Sequence, residues 1–172
     1  MKAPQVGIVI GSDSDLEVMA DAAKILDEFG IENEISVLST HRVPGETSQY
    51  AQKAKDRGLK ILIAGAGGAA ALPGSLAAQT SLPVIGVPIK TKSLEGLDSL
   101  LSIAQMPPGV PVATMAINGA KNAGIFAAEI IGLIDPKVAQ KVSEYKKRLK
   151  KEVLAKNSKL QKLGWKKYLK EI

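Results

Sequence analysis

Cysteine is absent from the 172 residues and histidine occurs once, at position 41. The first absence removes disulfides, thiolate nucleophiles and Cys-based metal sites, and the second removes metal sites built from several histidines. Aromatic residues make up only 3% of the chain, and three of the six lie beyond Asp135. No apolar run approaches the ~20 residues that a bilayer span needs. The N-terminal "MKAPQVGIVIGSD" has one lysine and a short apolar run ending in polar turn residues, unlike a secretory signal. A cytoplasmic location with no membrane partner is expected. What remains for chemistry is one imidazole, carboxylates, hydroxyls, lysines, arginines and backbone amides.

With 45% hydrophobic and 23% charged residues, the composition is that of a soluble globular protein, long enough for one domain plus an appendage. The net charge of +6 is unevenly placed: residues 136–172 hold 13 Lys and Arg against three acids, leaving residues 1–135 mildly acidic. Basicity therefore belongs to the tail. There Val138, Val142, Tyr145, Leu149 and Val153 recur at helical spacing, predicting an amphipathic helix whose lysines face solvent. No nucleic-acid partner is expected. The apolar stripe must be covered by the chain's own domain or by another subunit.

Residues 1–135 alternate short β-branched runs with amphipathic segments. "QVGIVI" reads as a strand buried on both faces, and "LEVMADAAKILDEFG" as a helix stopped by Gly30. The unit repeats as "ENEISVLS" before a helix through "ETSQYAQKAKDRG", "KILIAG" before "GGAAALPGSLAAQT", "PVIGVPI" before "LEGLDSLLSIAQ", and "VPVATMA" before "NAGIFAAEIIGL". Five such units predict a three-layer α/β/α sandwich around a parallel sheet. A flavodoxin-like strand order 2-1-3-4-5 is the commonest arrangement of that size, with ligands at the C-terminal strand ends.

The loops at those ends carry the chemistry. "GSDSD" pairs Gly11 with Ser12 and Ser14 at a helix start, a cradle suited to phosphate or sugar. Its alternatives are helix capping by Ser14 or Asp15, or Mg²⁺ held by Asp13 and Asp15. "AGAGGAAALPG" is nearly free of side chains, so either a helix packs closely on the sheet or a flat ligand lies on bare backbone around Gly67, Ala71 and Leu72. "STHR" sets Ser39, Thr40, His41 and Arg42 in succession: a fork for phosphate or carboxylate beside the one side chain that titrates near neutrality unaided.

Taken in order, "GSDSD", "S-x-H-R-x-P", "AGAGGAA-x-LPG", "PVIGVP" and "GLDSLLSI-x-QMP-x-GVPVAT-x-AI" resemble class I N5-carboxyaminoimidazole ribonucleotide mutases of purine biosynthesis, over residues 6–133. The resemblance implies a flavodoxin-like subunit in a homo-octamer, with the helix of residues 136–172 reaching a neighbouring subunit. It implies a reaction moving a carboxylate from the exocyclic nitrogen to ring carbon 4 of an aminoimidazole ribonucleotide, without metal or other cofactor. Ser12, Asp15, Ser39 and Arg42 would hold phosphate and ribose, with Gly11, Asp13, Thr40, Gly67, Ala71 and Leu72 around the substrate. His41 would be the general acid and base.

The chain departs from the family pattern in two loops. Where the family reads A-A-H-L-P-G-M, Ala71 replaces the histidine and Ser75 the methionine; where it reads S-A-H-R-T-P-D, Thr40, Val43 and Gly45 are the changes. The alternative is therefore a catalytically impaired or engineered member that serves as a nucleotide-binding or assembly scaffold.

Overall fold

The computed structural model describes residues 3–172. Five parallel strands, β1 (Val6–Ile10), β2 (Asn33–Val37), β3 (Ile61–Gly67), β4 (Val84–Ile89) and β5 (Ala113–Thr114), form one sheet in the order β2-β1-β3-β4-β5. This is the flavodoxin-like order, the commonest one for a five-stranded sheet of this kind.

Each strand sends alternate side chains to opposite faces. Val6, Ile8 and Ile10 of β1 join a core shared with α1 (Leu16–Phe29), α5 (Ala120–Gly132) and the start of α6 (Pro136–Leu163). Val9 points the other way, into a core with α2 (Pro44–Ala54), α3 (Leu72–Ala77) and Ile103 of α4 (Leu97–Ala104). α1 buries Met19, Ala22, Ile25, Leu26 and Phe29, a stripe at helical spacing, and Gly30 ends it in the left-handed region at φ 70°. Each large side chain in that stripe contributes ~1.5–3 kcal/mol by leaving water.

Several elements differ from their sequence-based boundaries, three of them as follows. The helix expected from Glu46 begins at Pro44, whose missing N–H costs nothing in a first helical turn, and ends at Ala54. The helix expected from Gly67 to Thr80 shrinks to the six residues of α3, because Gly67 still belongs to β3 and residues 68–71 form loop. The last strand keeps two paired residues, opposite Ile85 and Gly86, since Pro111 has no N–H for a ladder.

The tail is continuous with the sandwich at first. Asp135 caps α6 by accepting from the N–H groups of Lys137 (2.9 Å) and Val138 (3.4 Å), with Pro136 at the first turn. Val138, Val142 and Tyr145 are buried in the chain's own core, and Tyr145 meets Phe29 edge to face at 5.6 Å. Lys141 donates to the Phe29 carbonyl at 2.9 Å, while Arg148 pairs with Glu28 and Lys146 with Glu129. Beyond this the stripe is bare: Leu149, Val153 and Leu154 are exposed, as are Trp165 of the short α7 (Trp165–Tyr168) and Leu169. No helix among the described residues is long and apolar enough to cross a membrane.

Candidate active site

Strands β2, β1 and β3 are neighbours, so the loops leaving their C-terminal ends must meet. The backbone ties them together: the Leu38 N–H donates to the Ile10 carbonyl (2.9 Å) and the Gly11 N–H to the Gly65 carbonyl (3.2 Å). Above these bonds lies a cleft of about 190 Å³. The first loop lines it with Gly11, Ser12 and Asp15, and the second with Ser39, Thr40, His41 and Arg42. Gly67, Ala71 and Leu72 form the third wall, joined by Ala66 and Ala70, which sequence reasoning had not singled out.

In the first loop, Ser12 opens a single 3₁₀ turn over Asp13–Asp15, its hydroxyl receiving the Ser14 N–H (3.4 Å) and Ser14 hydroxyl (2.9 Å). Capping thus falls to Ser12; Asp15 precedes α1 but makes no capping bond. The residue as a whole is 9% exposed, at the cleft. Burial raises its pKa above the usual carboxylate value, against the lowering effect of hydrogen bonds from Ser12 and Ser14. Asp13 stands outside the lining, its Oδ1 held by the Ser12 hydroxyl and the Ser14 N–H, each at 3.1 Å. Among the described residues, no group of three or more metal-type donors forms.

The second loop turns on Ser39, whose carbonyl accepts from the N–H groups of both Arg42 (3.0 Å) and Val43 (2.8 Å). That turn lifts His41 into solvent at the cleft rim. Arg42 folds back so that its Nε faces the Ser39 hydroxyl (3.3 Å) and its Nη2 the Gly11 carbonyl (3.5 Å), leaving the rest of the guanidinium exposed. A cation, an imidazole and several hydroxyls therefore share one opening with a carboxylate. The combination suits a phosphorylated, hydroxylated ligand that undergoes proton transfer.

The glycines at the end of β3 and in the loop after it differ in what they do. A Cβ on Gly65 would lie 2.6 Å from the Met19 sulfur, so that position serves close packing of α1 on β3. Gly68 turns at φ 63° with open space around it. Its N–H is received by the Ser99 hydroxyl (2.9 Å), which itself donates to the Ile89 carbonyl (2.8 Å). Ser99 is fully buried on α4 and fixes the loop from beneath. The signal for it was a polar residue on the inward stripe of a helix; its partners are far away in sequence.

A family model described as AIR carboxylase matches residues 5–152. The chain belongs to the AIR carboxylase family. Among its relatives, the N5-carboxyaminoimidazole ribonucleotide mutase of Thermotoga maritima is 61% identical, the match covering 96% of this chain and 97% of the relative. The Pyrococcus horikoshii protein of the same name is 55% identical over 98% and 95%. The phosphoribosylaminoimidazole carboxylase of Schizosaccharomyces pombe is 53% identical, but only 30% of its length is covered. The crystal structure of Treponema denticola PurE superposes with a TM-score of 0.83 at 30% identity, covering 91% of this chain and 98% of that one.

Proposed function

We propose that the chain is an N5-carboxyaminoimidazole ribonucleotide mutase acting in purine biosynthesis in the cytoplasm. The observation that carries this reading is the convergence of Ser12, Asp15, Ser39, His41 and Arg42 on one cleft. Near full-length identity to proteins of that name supports it.

Ser12, Ser39 and Arg42 hold the phosphate, and Asp15 holds the ribose hydroxyls. Anchoring this inert end of the substrate leaves little freedom at the imidazole, so binding is converted into orientation. His41 gives a proton to the carbamate nitrogen, the C–N bond breaks, and CO₂ separates from the aminoimidazole. Carbon 4 then attacks CO₂, a C–C bond forms, and the ring proton on that carbon returns to His41. The proton lent in the first half is recovered in the second, so the sum is an isomerisation without a redox partner. The apolar wall of Ala66, Ala70, Ala71 and Leu72 confines the CO₂ between the two halves.

Turnover of the N5-carboxylated ribonucleotide to its C4-carboxylated isomer is the deciding measurement. His41→Asn is expected to lower kcat by ~10²–10⁴-fold, the usual range for a positioned acid or base. Since His41 is exposed, circular dichroism and the oligomer should be unchanged. No turnover by the unmutated protein overturns the reading.

Ala71 favours a second reading, ribonucleotide binding without turnover, because it leaves His41 as the only imidazole in the chain. It predicts saturable binding with no isomer formed. In both readings the bare outer half of the α6 stripe supports a homo-oligomer, taken as an octamer, in which that stripe is covered by a neighbouring copy.

A further inference from the structure

Two residues that break the family pattern touch each other. Thr40 belongs to the loop between β2 and α2, Ser75 to α3, and their hydroxyl oxygens are 2.7 Å apart in a half-buried contact. Either can be the donor, so the bond persists when the two hydroxyls exchange roles.

The remaining bonds of the loop lead elsewhere. Its start is tied to β1 through Leu38, its turn closes on Ser39, and Arg42 leans towards Gly11. Among the described residues no hydrogen bond holds the His41 ring. The residue before it is therefore the loop's lateral tether to α3, and α3 begins with Leu72 of the cleft wall, directly after Ala71. Thr40 is β-branched, so fixing its hydroxyl fixes χ1 and, with it, the backbone one peptide away from His41.

We propose that Ser75, which lies outside the cleft, is a positioning residue: through Thr40 it latches the His41 loop to α3, so that the imidazole keeps its distance from the apolar wall. This rests on the reading of His41 as the proton carrier. Small displacements of such a group are costly to rate, whereas Arg42 has its own bonds, to the Ser39 hydroxyl and the Gly11 carbonyl.

The single histidine supplies a readout that needs no turnover, because the protein has one set of imidazole ring signals in an NMR spectrum. Ser75→Ala is expected to broaden or shift the His41 ring signals without substrate, and to lower kcat about three- to tenfold, the size of one net hydrogen bond. KM should stay unchanged. Ser75→Thr, which keeps the hydroxyl, should restore both. Thr40→Val should cost as much as Ser75→Ala, and the double variant no more than either. The latch is refuted if Ser75→Ala leaves the ring signals and kcat as they were, or if its kcat loss follows a fall in thermal midpoint with the ring signals unmoved. It is equally refuted if Ser75→Thr rescues nothing or the two losses add. If the unmutated protein does not turn over, the functional reading fails and the ring signals alone decide the latch.

Discussion

At the scale of single residues, Asp15 sets stability against binding. Burial raises its pKa above 3.8, the value its unfolded counterpart follows. Between 3.8 and the raised value the folded chain binds more protons than the unfolded one, so stability falls as pH rises through that window. At neutral pH the full cost of the buried charge is present. Asp15→Asn should therefore unfold at pH 7 at or above the midpoint of the unmutated protein, with the advantage shrinking as pH is lowered towards 3.8. Its affinity for the ribonucleotide should drop. Urea titrations at several pH values check the first half and calorimetric binding the second; a lower midpoint at pH 7 shows the hydrogen bonds from Ser12 and Ser14 outweighing burial. Ala71 poses the opposite question, that of a group withheld. It is exposed at the cleft just before α3, so a larger side chain meets no core. Ala71→His should raise turnover by about tenfold or more if an imidazole there assists proton transfer or orients the carboxylate. Steady-state kinetics decide it.

At the scale of elements, the cleft depends on a helix that lines none of it. Ser99 on α4 serves both the Gly68 N–H and the Ile89 carbonyl, so Ser99→Ala takes a partner from each, the first bond half-buried and the second buried. The expected loss is ~1–3 kcal/mol in urea unfolding, together with faster hydrogen exchange at Gly68. An unchanged midpoint means that water replaces the hydroxyl. This dependence also marks what the amino-acid order reveals and what it hides. Strands β1, β3 and β4 were legible because burial on both faces leaves continuous apolar runs, and α1 because its buried stripe and Gly30 are local signals. The cleft residues Ser12, Asp15, Ser39, His41 and Arg42 were legible because each follows a recognisable strand end. The contacts of Ser99 with Gly68 and of Ser75 with Thr40 were not, since each joins residues more than thirty apart that only the fold brings near. The length of α3 was overestimated for a related reason: alanine favours helix, but Gly68 and its tether to Ser99 commit that stretch to loop.

At the scale of the whole molecule, the outer half of α6 is an element without a floor. Val153 is 64% exposed, so Val153→Glu disturbs nothing inside the chain. It should shift the protein to smaller species in light scattering while leaving its circular dichroism intact; an unaltered mass excludes that stripe from the assembly. A different consequence follows from the order in which the cleft's parts occur along the chain. Every lining residue lies between Gly11 and Leu72, whereas the hydroxyl that fixes the glycine loop comes only at Ser99. On a ribosome adding ~5–20 residues per second, the nascent chain carries the full complement of cleft residues for a few seconds before the part that fixes their arrangement is made. The site matures late, so a nascent chain halted between Leu72 and Ser99 should possess the chemistry of the cleft without its shape.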